Sequence, residues 1–469
     1  MDFQSIRLLR LISRGLDQCH ELREPVLISY SLPLEKYIDP VTFFLRAEAM
    51  NSEKVTYWSE PNQSSVFVGI GAALSTVVQD AHSQRFIETE EKWRNIVNHC
   101  LQDALEDVLR AGPVLMGGFS FDPLKPNMSK RWRRFAHADF HVPQWLLTTR
   151  DGRAWLTANF LLQGNEEPEV LTSAIIERGE QLIGPEGEVD TPFLAASMVR
   201  GKADPQAWMN IVKLATERIR HGEVGKVVLA RDLVLHNTRE VSVAAVIRAL
   251  HREQADSYIF SFGRQGDYLV GASPERIIKR KGEAYYSTCL AGSIPRGKTL
   301  EEDEELGQQL LQDEKNLMEH NFVVQLNRSI LGKHCETIAV AEKPVLMRLR
   351  NIQHLYTPIV GKGKTESSLL AVLGDLHPTP ALGGFPKAAA LEQIRCLEPL
   401  DRGWYGGPVG WIDSRGDGEF VVAIRCGLVQ GKTVSLFAGG GIVEGSDPQS
   451  EYEETAIKMQ PMLSALEGM

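Results

Sequence analysis

The chain has 469 residues, of which 43% are hydrophobic and 24% charged, with 40 Gly and 23 Pro. These fractions are those of a globular protein and exclude a disordered, collagen-like or disulfide-dense chain. The 51 Lys and Arg against 61 Asp and Glu leave a net charge of −10, which argues against a nucleic-acid-coating protein and makes clustered carboxylates candidates for a metal.

At roughly 150 residues per domain the length allows about three domains. Ile6, Leu8, Leu9, Leu11 and Ile12, interrupted by Arg7, Arg10 and Arg14, predict an amphipathic helix that lacks the cleavage site of a signal peptide. No charge-free apolar run is long enough to span a bilayer, so no membrane partner is expected. Cys19, Cys100, Cys289, Cys335, Cys396 and Cys426 are scattered with no CxxC pair, which reads as reduced thiols in the cytoplasm.

Residues 1–195 read as a β-rich region, with strands expected over 26–30, 55–58, 65–70, 114–121 and 144–149 and a helix over 90–109. The polar, Gly/Glu-rich stretch 164–190 reads as a loop. Gly69, Ile70 and Gly71 begin a dinucleotide-like fingerprint but lack its third glycine, so a tight turn at a strand end is expected. The basic run 130–134 reads as a solvated loop. Past residue 200, Asp204 and Pro205 are set as N-cap and first residue of a helix that stops at Gly222. A strand follows over 227–234 with Lys226 just before it, then a long helical stretch over 299–330. Strands over 420–429 and 433–437 flank a short hairpin connection. In the last helix Ser450 and Glu453 have capping-box spacing.

Two helices carry the strongest constellation. Lys315 and Glu319 lie one turn apart, and Glu451, Glu454 and Lys458 recur at spacings of three and four, so each set shares a face. Two helices each presenting a glutamate suit Mg²⁺, which takes few carboxylates and keeps its waters. Gly-rich segments over 377–386, 402–410 and 438–443 allow backbone to approach a ligand closely. Arg425, among apolar strand neighbours, requires an anion, either a structural carboxylate or a bound one.

Taken in order, KVVLAR (226–231), GASPER (271–276), LAGS (290–293), Lys315 with Glu319 and His320, HLYT (354–357), HPTPALGGFP (377–386), WYGGPVGW (404–411), AIR (423–425) and GGGIV (439–443) with Glu451, Glu454 and Lys458 resemble the chorismate-utilising enzymes, most closely the isochorismate synthases. The resemblance covers residues 200–469. It implies an α+β fold in which large sheets pack face to face, helices lie outside and the active site occupies a central cleft. Residues 1–195 would be an N-terminal β-rich region sharing sheets with a chorismate-binding catalytic region at 196–469.

The implied reaction is Mg²⁺-dependent: water adds at C2 of chorismate while the C4 hydroxyl leaves. By motif match Lys226 would be the base and Glu275 the acid. Glu319 and Glu454 would hold Mg²⁺ against the ring carboxylate, with Glu451 supporting through the metal's waters. Arg425, Lys458, Tyr405 and backbone at Gly292, Gly439 and Gly440 would grip the substrate, with His354 beside its ring. The acid role asks that the Glu275 pKa be raised. Lys226 stands where ammonia-using anthranilate synthases carry Gln, so no glutaminase subunit is expected. Ala381 stands where pyruvate-releasing branches carry Thr, so the reaction is expected to stop at isochorismate. The long N-terminal region resembles menaquinone-pathway enzymes. The alternatives are a siderophore-pathway enzyme and a salicylate- or anthranilate-type synthase. Nothing reads as a coiled coil, so a monomer is expected.

Overall fold

The strands Ser65–Ile70, Val114–Phe119 and Pro408–Asp413 are rich in β-branched and aromatic residues and are buried at every position. A strand buried on both faces has to lie between layers. In the computed structural model, which describes residues 3–50, 52–79, 84–103, 112–125, 129–184, 199–201, 204–348, 350 and 352–467, those layers are two large sheets with helices packed outside them.

Among the described residues one sheet has 13 strands and the other 10. In the first, Lys226–His236, Thr433–Ile442, Cys426–Gln430, Asp267–Ser273 and Tyr258–Arg264 run side by side and continue directly into Lys54–Ser59 and Ser65–Ile70. In the second, Ile352–Gly363, Ala284–Pro295, Arg276–Lys281, Gly418–Val422 and Pro408–Asp413 continue into Val114–Phe119 and Ala138–Val142. In each sheet a block of strands from past residue 200 is therefore joined edge to edge with a block from the N-terminal part of the chain. The inner faces meet in an aromatic core of Trp58, Phe67, Phe260, Phe262, Trp404 and Trp411, in which the Phe67 and Trp411 rings pack edge to face at 5.3 Å.

The amphipathic helix expected at the N-terminus is Phe3–Leu22. The helix at Pro205–Arg220 starts as read, with the Asp204 carboxylate accepting the Ala207 N–H at 2.9 Å and Gly222 at φ +76 after its end. Gly71, at φ +69, turns the chain at the end of Ser65–Ile70.

Several expectations need correction. The stretch 164–190 contains the helix Pro168–Ile183, whose fully buried stripe is Thr172, Ile175, Gly179 and Leu182, flanked by the partly buried Leu171, Ile176 and Ile183; 185–198 lie outside the described residues. The helix expected over 90–109 is Arg85–Asn98, and Leu101–Asp103 instead pairs in parallel with Val26–Pro33. Residues 104–111 lie outside the description. The helical stretch 299–330 is broken at Asp313, whose carboxylate caps the second helix, Glu314–His334, by accepting the Asn316 N–H at 2.7 Å. The strand expected over 420–429 breaks at Ala423, Ile424 and Arg425. The basic run is no solvated loop: Trp132 is buried, and Arg131 and Arg134 pair with Asp232 and Asp267 at 2.7 and 2.9 Å. The last helix is Pro448–Glu467, begun by Asp447, which accepts the Ser450 N–H at 2.9 Å. All six cysteines are free thiols, and no helix among the described residues is long and apolar enough to cross a membrane.

Candidate active site

Three consecutive glycines make room for the chemistry. Gly439, Gly440 and Gly441 lie in the strand Thr433–Ile442, in register with Ala230, Leu229 and Val228 of the strand that Lys226 begins. A Cβ at 441 would lie 2.8 Å from Lys226 Cε, one at 440 would lie 2.7 Å from Glu451 Oε2, and one at 439 would lie 3.3 Å from the Tyr405 hydroxyl. Each glycine thus admits a different polar side chain across the same short stretch of strand. Lys226 also pairs with Phe385, whose ring meets Phe322 edge to face at 4.6 Å and so brings the helix Glu314–His334 alongside.

The C-terminal helix aims three charged groups at this stretch. Lys458 Nζ donates to the Gly439 carbonyl at 2.9 Å and pairs with Glu454 at 2.5 Å. Glu451 Oε1 accepts from Ser446 Oγ at 2.7 Å, while Glu451 Oε2 is buried with no hydrogen-bond partner among the described residues. The helix is fixed to the Lys226 strand by Arg231, which donates to Thr455 Oγ1 at 2.7 Å and lies over the Tyr452 ring at 4.2 Å.

Glu275 follows the strand Asp267–Ser273, and Arg425 reaches the same space from the break at 423–425, held at φ +50. Arg425 has no ion pair among the described residues, so a guanidinium kept there at backbone strain suits a bound anion. Tyr405 stacks on Phe437 at 5.2 Å. His354 Nδ1 is 2.8 Å from Ser293 Oγ, beside the bulge where Gly292 adopts φ +77. Ala381 and Glu275 line one small cavity.

The charges of these groups are mutually felt, which places them in one site. Burial pushes Glu275 up to about 7, against the opposing pull of Arg425 and Lys458. Burial lowers Arg425 and Lys458 from their usual values. Burial, with Arg425 and Lys458 adding to it, lowers His354 to about 4, so the ring is neutral. The Tyr405 hydroxyl is raised by burial and stays protonated. Glu451 is raised chiefly by burial, with Glu454 adding to it.

Glu319 lies half-buried on its helix, next to His320, whose Nε2 and Nδ1 meet Thr357 Oγ1 at 2.7 Å and the Ala291 carbonyl at 3.2 Å. Among the described residues no three His, Cys, Asp or Glu side chains gather as a metal cluster, so Glu319, Glu451 and Glu454 do not form a closed chelate. The orphaned Glu451 Oε2 nevertheless fits a hard cation that takes few protein oxygens and keeps its waters.

Sequence reading missed the groups that hold this arrangement. Ser446 orients Glu451, and Thr455 orients Arg231. Arg402 and Glu398, almost wholly buried, form a pair at 2.7 Å. Glu398 accepts the Ala230 N–H at 2.8 Å, and Arg402 donates to the carbonyls of Val228 and Leu382 at 2.7 and 3.1 Å, tying the Lys226 strand to the loop that carries Ala381. The i, i+4 spacing of Glu398 and Arg402 was their only signal.

Residues 14–467 match the family of chorismate binding enzymes. The isochorismate synthase MenF of Bacillus subtilis is 40% identical over 461 residues, 97% of each chain. The salicylate biosynthesis isochorismate synthase of Pseudomonas aeruginosa is 35% identical over 97% of this chain and 93% of its own. The solved structure of MenF, the menaquinone-specific isochorismate synthase from Escherichia coli, superposes with a TM-score of 0.76 at 25% identity, covering 97% of this chain and 99% of that one. With an α+β architecture of large sheets shared by these relatives, the chain belongs to the chorismate-binding enzymes.

Proposed function

We propose that the chain is an isochorismate synthase, which converts chorismate to isochorismate by adding water at C2 as the C4 hydroxyl departs. The observation that carries this reading is the raised Glu275, a carboxyl near 7 placed with Arg425 and Lys458. Such a group holds a proton near neutrality and donates it to a leaving hydroxide. Lys226, over Gly441, takes the proton of the incoming water. Arg425 and Lys458 hold substrate carboxylates, Tyr405 and the backbone at Gly292, Gly439 and Gly440 take its remaining oxygens, and the neutral His354 lies against the ring. Glu319 and Glu454 would hold Mg²⁺, with Glu451 beside them. When bound, the cation neutralises the ring carboxylate and favours electron flow through the ring. Ala381 offers no hydroxyl beside Glu275, which favours stopping at isochorismate over release of pyruvate.

The match to MenF of Bacillus subtilis over the whole chain supports a place in menaquinone biosynthesis. We read 196–469 as the catalytic region, since every residue given a role lies there, and 1–195 as its structural complement in a cytoplasmic monomer with no glutaminase subunit. Turnover in ¹⁸O-labelled water tests the chemistry: the label is expected in the C2 hydroxyl of the product, and an unlabelled product would refute water addition.

A further inference from the structure

Behind Glu275 lies a small, largely enclosed cavity that the proposed reaction leaves unused. Its lining is half apolar, with Leu376, Val323 and Ala381 among its walls, and it has room for roughly one water molecule. Besides Glu275, its polar lining residues are Arg276, Thr288, Asn327 and Thr379. Asn327, 3% exposed, gives its amide nitrogen to Cys289 Sγ at 3.3 Å and leaves Oδ1 buried with no hydrogen-bond partner among the described residues. Thr379, 7% exposed, likewise leaves its Oγ1 buried and unpartnered. Whichever way the Asn327 amide is turned, one end meets Cys289 and the other meets no protein group. With the Nε of Arg276, another lining residue, three polar atoms around this cavity are buried without a hydrogen-bond partner among the described residues, which is costly unless something bridges them. Glu275 borders the same space.

We propose that this cavity is a binding site for one ordered water, and that Asn327 and Thr379 are positioning residues acting on Glu275 through it. The hydrogen-bond inventory fixes the arrangement. The water donates one hydrogen to Asn327 Oδ1 and the other to a carboxyl oxygen of Glu275, and it accepts the Thr379 hydroxyl hydrogen. The second carboxyl oxygen of Glu275 then carries the proton and faces the substrate. After that proton leaves, the same water donates to the new carboxylate, a stronger hydrogen bond than the one it made before. The charged and titratable groups around Glu275 are Arg276, which lines the same cavity and pairs with Glu419 at 3.4 Å, Arg425 before its strand, Lys458 on the C-terminal helix and Cys289 on the strand Ala284–Pro295. None of them contributes a hydrogen bond to its carboxyl among the described residues, so the water supplies what those charges do not.

This inference rests on Glu275 as the acid but is tested apart from it. Thr379→Val keeps the side-chain shape and Asn327→Leu removes the acceptor. In each, kcat is expected to fall about tenfold with KM nearly unchanged, the scale of one hydrogen bond to a charged group. The alkaline limb of the pH profile should move up, because the carboxylate has lost a donor. A crystal structure of the unaltered protein is expected to show one water within hydrogen-bond distance of Glu275, Asn327 and Thr379. A dry cavity, or variants with unchanged kcat and pH limb, would overturn the inference. If Glu275→Gln kept full activity while the water was present, the acid assignment would fall and the water site would stand.

Discussion

Gly440 and Glu451 face each other across the site so closely that a Cβ on the glycine would lie 2.7 Å from the buried carboxylate oxygen that has no protein partner. Gly441 stands in the same relation to Lys226 at 2.8 Å. Neighbouring residues of one strand therefore make room for the two side chains to which different roles are proposed. Gly440→Ala displaces the Glu451 carboxylate and is expected to raise the Mg²⁺ concentration for half-maximal activity about tenfold or more, the cost of disturbing a ligand's supporting shell. Gly441→Ala crowds the lysine and is expected to lower kcat with the Mg²⁺ dependence unchanged. Magnesium titrations of the two variants check the separation.

The raised Glu275 sets the sign of a pH dependence. The proposed acid role needs it protonated, so kcat is expected to hold below its pKa of about 7 and to decline as pH rises through it. In the unfolded chain a glutamate titrates near 4.3, so between about 4.3 and 7 the folded state holds a proton that the unfolded state lacks. Stability attached to this group is thus full at low pH and lost as pH rises through the folded value. Glu275→Gln removes that loss, and in magnesium-free urea melts it is expected to gain up to about 3 kcal/mol on the parent at pH 8 and little at pH 4. Turnover by the same variant should fall by about 10² or more.

Arg425 holds a left-handed backbone at φ +50 with no ion pair among the described residues. Asparagine adopts that conformation more readily than arginine. Arg425→Asn is expected to match or exceed the parent's stability, by up to about 1 kcal/mol, while kcat/KM falls by about 10² or more. Thermal melts beside steady-state kinetics decide this. A large loss of stability would show that the guanidinium serves the fold rather than a ligand.

The Glu398–Arg402 pair is the reverse case, a buried pair whose role is structural. Glu398→Ala strands a buried guanidinium and frees the Ala230 N–H, so a loss of about 3–5 kcal/mol is expected. Chemical denaturation measures it. Replacing both residues by apolar side chains of similar size should recover much of that loss.

How much of this was legible in the sequence follows from how locally each feature is encoded. Lys226 before an apolar strand, the glycine run at 439–441 and the stripe of Glu451, Glu454 and Lys458 are short-range patterns, and the structure brings all of them to one place. Helix Pro168–Ile183 was hidden because its buried stripe includes Thr172 and Gly179 while Val170 and Ala174 are exposed, so its apolar residues do not mark one face. The break at Asp313 was hidden because the apolar periodicity continues across it, and only a single cap marks the new helix. Asn327 and Thr379 meet Glu275 around one cavity from segments far apart in the chain, and no spacing announces such neighbours; Ser446 lies only five residues from Glu451, but in the loop before its helix, where no regular period links the two. The joining of early and late blocks of strands in both sheets was hidden for a like reason, since register between distant strands leaves no local signature.

The measurement that bears most directly on the proposed activity is the product of incubating the protein with chorismate and Mg²⁺, separated by chromatography and assayed in parallel for pyruvate. Isochorismate in equilibrium with chorismate, without pyruvate, is the expected result. Stoichiometric pyruvate with an aromatic product would contradict it.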